Sequence, residues 1–212
     1  MWLIFRPNKW IVKGMKLFLA LTYTWIGVVY YLIYCKERGY SDILCYFWLL
    51  MAGAWIWDLI ANYTTFEKTG KFKFLAILLM AMPFIYPLLS IGRGLTFPAI
   101  ASPIMPCAVS TFTIGLFLYH SKKINMFLVL FLCHWSFIGL AKTYFFDIPE
   151  DYVLVATSVP AIYIFFKQYY LTAPATQSKP DIKIVRLALI FVCTLISLIL
   201  VGTILNQFYN IF

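Results

Sequence analysis

Long apolar runs alternate with short polar joints along the whole chain, and the length of the runs points to its setting. A helix that crosses a bilayer needs about 20 predominantly apolar residues. Seven runs approach that length. They predict spans at about Leu17–Cys35, Ile43–Tyr63, Phe74–Gly92, Met105–His120, Ile124–Phe146, Tyr152–Tyr170 and Val185–Phe208. The expected fold class is all-α: a polytopic transmembrane helix bundle forming a single integral membrane domain over residues 1–212. The fourth run is the weakest, being short and polar at its start. There is no internal repeat, and the one linker-like stretch is "TAPATQSKPD", residues 172–181. The first run follows the basic, aromatic "MWLIFRPNKWIVKGMK" and has no small-residue cleavage pattern after it, so it reads as an uncleaved span.

The polar joints carry an orientation signal. Cytoplasmic loops are enriched in Lys and Arg. With the N-terminus inside, the inner joints hold Arg6, Lys9, Lys13, Lys16, Lys68, Lys71, Lys73, Lys122, Lys123, Lys167, Lys179, Lys183 and Arg186. The outer joints hold only Lys36, Arg38, Arg93 and Lys142, out of 17 Lys and Arg in all. This predicts seven spans with the N-terminus in and the C-terminus out. Removing the fourth span would reverse every later loop and destroy the asymmetry.

Composition agrees. The chain is 63% hydrophobic and 12% charged, against about 45–50% and about 25% in soluble domains. That excess excludes one water-soluble core. The net charge of +9 is dispersed over short joints between oily runs, which excludes a nucleic-acid groove. Five Cys occur without CxxC or a Cys/His cluster, so no metal and no cofactor are implied. The expected partner is the lipid bilayer, with a small solute as a candidate ligand; homo-oligomerisation stays open.

Prolines mark where the helices are interrupted. Pro83 and Pro87 fall inside the third run, giving either a kinked packing helix or a bent wall beside a cavity. "GRGLTFPAIASPIMPC", residues 92–107, holds three prolines yet is too apolar for an ordinary exposed loop. Irregular backbone at membrane depth is tolerated only when buried in protein or lining a wet cavity, so a partly re-entrant or cap-like outer segment is expected. Pro106 suits the first turn of the fourth span. Ser110, Thr111 and Thr113 follow within two turns; their hydroxyls either pack helices or, with Cys107, Arg93 and the helix N-terminus, hold an anionic or carbonyl-bearing ligand.

Ionisable groups inside spans are functional candidates by default. Asp58, in "AGAWIWDLIANY", lies about 23 Å from the outer end of its span at about 1.5 Å per residue, with Asn62 one turn on. Its readings are a structural hydrogen bond, a proton- or cation-linked role, or exposure at the interface, and pairing with His120 is allowed if their helices are adjacent. His134 sits near mid-span in the fifth run and joins the ligand-binding candidates Arg93, Cys107, Ser110, Thr111 and Thr113. Lys142 lies eight residues further, where it can snorkel beside the acidic "DIPED", residues 147–151. Cys35, Cys45 and Cys107 fall near the outer face, where a disulfide is permitted.

The stretch "IMPCAVSTFTIGLFL" resembles, through its P-C-x-x-x-x-F-T-x-G-L pattern, a bacterial multi-pass membrane family of unknown function. "YTWIGVVYYLIY", residues 23–34, and "HWSFIGLAKTYFFDIPEDYVLV", residues 134–155, are similar to the same family, the likeness resting on Trp135, Ile138, Gly139, Pro149, Glu150 and Asp151. Order and spacing agree over about residues 20–165. The chain departs at "PCAVST", where the family often has a second proline and adjacent threonines. The resemblance implies a multi-pass protein of the bacterial inner membrane with no established activity.

Three function classes follow. A small-solute transporter or channel-like protein would place its site near residues 93–113 and His134. A non-catalytic assembly subunit would use the same features for packing. An intramembrane acid/base enzyme on a lipid-like substrate would use Asp58, His134 or His120, although paired carboxylates, HExxH and a nucleophile elbow are missing.

Overall fold

The computed structural model describes residues 8–66, 72–96 and 100–146, with scattered positions among 154–165 and residue 191. Helix α1 (Lys9–Trp25) continues without a break into a π-helical stretch (Ile26–Tyr34). Then come α2 (Ser41–Ala61), strand β1 (Thr65–Phe66), α3 (Lys73–Gly92), α4 (Pro106–His120), strand β2 (Ser121–Lys123) and α5 (Met126–Phe146). These helices match the first five predicted spans to within a few residues, except that α1 begins at Lys9 rather than near Leu17. The predicted seventh span lies outside the described residues apart from Phe191, and the sixth lies largely outside them.

Among the described residues, three helices are long and apolar enough to cross a membrane: Lys9–Tyr34, Ser41–Ala61 and Lys73–Gly92. Their surfaces are inverted relative to a soluble protein. Phe74 and Ile60 are 84% and 79% exposed, whereas Lys16 and Asp58 are 0% exposed. That distribution suits a lipid surround, where apolar side chains lose nothing by facing outward and charges turn inward. At 15 residues, α4 is shorter than the usual crossing length.

The helices pack as two pairs, α1 along α2 and α3 along α4, joined by α5. Aromatic rings fill the centre: Tyr23 stacks on Trp48 at 5.2 Å, and Trp48 meets Trp135 edge-on at 4.7 Å. Between α3 and α4 the backbones nearly touch at Gly115. A Cβ there would stand 2.7 Å from the Ala76 carbonyl oxygen and 2.9 Å from the Met80 nitrogen. Small residues permit such close crossings in membranes, where packing rather than the hydrophobic effect holds helices together.

Local chemistry sets the helix ends. Helix α3 runs continuously through Pro83 and Pro87. It stops at Gly94, whose φ of 80° suits glycine. There the N–H groups of Gly94 and Leu95 donate back to Ile91 and Ser90 carbonyls at 2.9 and 3.1 Å, the paired closure of a Schellman motif. Beyond it, residues 100–105 form bends and turns around Pro103, and Ala101 N–H ties them back to Ser90 Oγ at 3.2 Å. Helix α4 then opens on Pro106, where a missing N–H costs no helical bond. At the opposite end β1 and β2 form a two-stranded antiparallel ladder pairing Thr65 with Lys123 and Phe66 with Ser121. This ladder was not anticipated; both segments read as plain loops.

Candidate functional site

The described ion pair lies at the ladder end of the bundle. Lys16 Nζ stands 2.9 Å from Asp58 Oδ2, with both side chains fully buried. The contact is one of charge rather than a directed hydrogen bond, since Oδ2 makes none. The ammonium donates instead to the Asp58 backbone carbonyl at 3.2 Å and to Asn62 Oδ1 at 3.4 Å. The ammonium thus combines two hydrogen bonds with one close charge contact.

The other carboxylate oxygen is as fully engaged. Asp58 Oδ1 accepts from Thr64 N–H at 3.1 Å, from Thr64 Oγ1 at 2.8 Å and from Asn125 Nδ2 at 3.4 Å. Thr64 Oγ1 in turn accepts from Asn125 N–H at 3.3 Å. Asn125 Oδ1 accepts from Phe127 N–H at 3.1 Å, the bond of an N-cap at the head of α5. A single charge pair thus joins α1, the end of α2, the turn into β1 and the start of α5.

Local sequence explains how the chain reaches this arrangement. Asn62 ends α2 in the left-handed region with φ of 47°, a conformation asparagine tolerates better than most residues. The reversal brings Thr64 back under Asp58. Asn125 stands directly before the apolar run "MFLVLFL", where a side-chain acceptor is needed for the first N–H groups of a helix. Desolvating two charges costs several kcal/mol per ion unless geometry and hydrogen bonds compensate. The clasp supplies that compensation. Losing either charge would strand the other in an apolar interior.

One sequence expectation is corrected here. Lys16 is not in a loop; it lies inside α1 with its side chain buried against Asp58. Asp58 has Lys16 as a charge partner, and the His120 side chain lies outside the described residues. Of the readings given to Asp58, the hydrogen bonds of the structural one are present.

The residues anticipated around the proline-rich segment are positioned differently. Arg93 is exposed just beyond α3. Cys107, Ser110, Thr111 and Thr113 are all buried in α4. The Thr111 hydroxyl shares its proton between the Cys107 and Ala108 carbonyls at 3.0 and 2.8 Å. Thr113 donates to the Val109 carbonyl at 2.8 Å, so the 2.8 Å contact with Tyr23 is one in which Tyr23 donates. The threonine hydroxyls therefore make bonds within α4 and, for Thr113, across to Tyr23. Half-buried His134 donates from Nδ1 to the Leu130 carbonyl of its own helix at 2.7 Å, because a carbonyl can only accept. Lys142 falls within α5, and its side chain is outside the description, as is the "DIPED" turn. Cys35, Cys45 and Cys107 are free thiols, so no disulfide joins them. The described residues contain no cluster of three or more metal-ligating side chains.

Sequence reasoning missed Lys16, Thr64 and Asn125 as site residues. Asn125 carried a usable signal as an asparagine immediately ahead of an apolar run. Lys16 carried a weaker one, and Thr64 carried none.

No curated protein and no solved structure matches the chain. Residues 1–177, which contain every helix and strand described above, match a family of unknown function, DUF6064, and the chain belongs to that family.

Proposed function

We propose that the chain is a multi-pass protein of the bacterial inner membrane, with seven spans, the N-terminus in and the C-terminus out, and that it carries a small solute. The buried Lys16–Asp58 pair is the observation that carries this reading. It sits between the first two long apolar helices, near one end of the bundle. A charge pair that bridges helices is a natural coupling element: neutralising one partner, by a proton or a competing ion, releases the contact between the helices. In this reading the clasp closes the cytoplasmic end, while the segment around residues 93–113 and His134 lies on the solute path. Broken helices beside a path recur in carriers.

The test is uptake by full-length protein in proteoliposomes, using a panel of radiolabelled amino acids, small carboxylates and small amines. Uptake of a panel member, lost in Asp58→Asn while the protein stays folded, supports the carrier. Folded, inserted protein that takes up none of the panel overturns it.

A second reading, a non-catalytic subunit of a membrane assembly, is favoured by a different observation. The Thr111 and Thr113 hydroxyls are spent on packing, and a groove of about 480 Å³ beside α2 is lined by apolar and aromatic side chains including Tyr46, Leu50, Trp57 and Phe127. A stoichiometric partner retained through gentle purification supports this reading. An acid/base enzyme acting through Asp58 is the least suited, because Oδ1 already accepts three donors.

A further inference from the structure

Away from the clasp, the first span changes its winding. Ile26–Tyr34 is π-helical, and the Cys35 N–H closes it by donating to the Tyr30 carbonyl at 2.9 Å, five residues back. Wider turns of this kind are rare and concentrate at functional sites. This one carries Tyr31, which is 1% exposed and makes no hydrogen bond through its hydroxyl. Two more polar atoms in the same core are equally buried and unbonded: the Trp48 indole Nε1 of α2 and the Ser110 Oγ of α4.

Tyr31 and Trp48 meet in this core, and Ser110 lies on the face of α4 turned toward the same helix as Tyr31. The Tyr31 hydroxyl lies beside the Trp48 indole N–H, without reaching hydrogen-bond geometry, and near the Cys107 thiol. The Trp135 ring packs against both aromatics, 4.7 Å from Trp48 and 6.5 Å from Tyr31. Ser110 stands three residues from Cys107, near Tyr31, and three from Thr113, bonded to Tyr23. Positions three apart share a helix face, so Ser110 faces the same helix between the two contacts. An indole N–H can only donate, while the phenol and serine hydroxyls can donate or accept. The cluster thus holds three donors, none of them bonded. Buried polar groups in folded proteins are almost always bonded, to protein or to an ordered guest.

We propose that a small guest with an acceptor oxygen binds between the π-helical stretch, α2 and the start of α4, held by Tyr31, Trp48 and Ser110. That oxygen belongs to a water or to the carbonyl or carboxylate of a small solute. The site does not depend on transport; only its role on a solute path rests on the carrier reading.

The test uses full-length protein in lipid nanodiscs and the ultraviolet resonance Raman marker of indole N–H hydrogen bonding. The Trp48 contribution is isolated by difference against Trp48→Phe. A hydrogen-bonded Trp48, shifting toward the free-indole position in Tyr31→Phe and Ser110→Ala, supports the site. A Trp48 marker already at the free-indole position overturns it. So does a bonded marker that neither substitution moves. If Trp48→Phe does not fold, the Tyr31→Phe minus wild-type difference, which removes one oxygen atom, gives the same reading. Extraction and mass spectrometry of the purified protein then separate the sources. A stoichiometric small carbonyl or carboxylate compound, lost in Tyr31→Phe, identifies a solute; its absence beside a bonded marker identifies water. Because none of these readouts measures uptake, failure of the site and failure of the carrier are distinguishable.

Discussion

The two ends of this bundle handle polarity in opposite ways. At the ladder end, Lys16 and Asp58 are fully buried and held by Asn62, Thr64 and Asn125. At the far end, beyond α3, Arg93 is exposed, and Thr111 and Thr113 of α4 turn inward to bond backbone carbonyls and Tyr23. Sequence drew attention to the far end because prolines and hydroxyls interrupt the oily pattern there. Charge burial, however, concentrates at the ladder end. The contrast teaches that a visible break in a hydrophobic run marks irregular backbone. A buried charge pair leaves little trace when its members lie 42 residues apart.

Substitutions ranked by expected effect sharpen this contrast. The largest loss belongs to Asp58→Ala, which strands the Lys16 ammonium. Breaking a buried pair by removing one partner costs about 3–5 kcal/mol, read as a lowered midpoint of unfolding in mixed micelles. Next comes Gly115→Ala, where the new methyl meets backbone at 2.7 Å. Overpacking costs about 1–3 kcal/mol, and here the α3–α4 pair must separate. Asn125→Ala removes both an N-cap and a donor to Asp58; loss of a cap costs about 1 kcal/mol, with weakened amide-exchange protection at the start of α5. Arg93→Ala lies at the bottom of the scale, because a surface contact of an exposed charge is worth about 1 kcal/mol or less. An Arg93→Ala effect on stability as large as that of Asp58→Ala would break the contrast.

How much was legible follows from the same residues. Run length read α1, α2 and α3 well, because a run of about 20 apolar residues is a local property that needs no knowledge of neighbours. Pro106 and the turns ahead of it were legible because proline acts locally. Asp58 was legible as a charge inside a long apolar run, but its partner was not. Lys16 sits in "KGMKLF", among basic residues that resemble a loop, and only the extension of α1 back to Lys9 puts it inside a helix. The β1–β2 ladder and Thr64 depend on two loops meeting in space, which no local pattern encodes. The unbonded Tyr31 and Trp48 were likewise hidden, since an aromatic stripe in a membrane helix reads as packing until its polar atoms are located.

The claim that the ladder end is held by a buried ion pair is tested most directly by a double-mutant cycle between Lys16 and Asp58. Full-length protein with Lys16→Met, Asp58→Leu and both together would be unfolded in mixed micelles. The account predicts that each single change costs about 3–5 kcal/mol and that the double variant recovers most of that loss, because an apolar pair strands no charge. Strictly additive losses, with the double variant less stable than either single one, would contradict it.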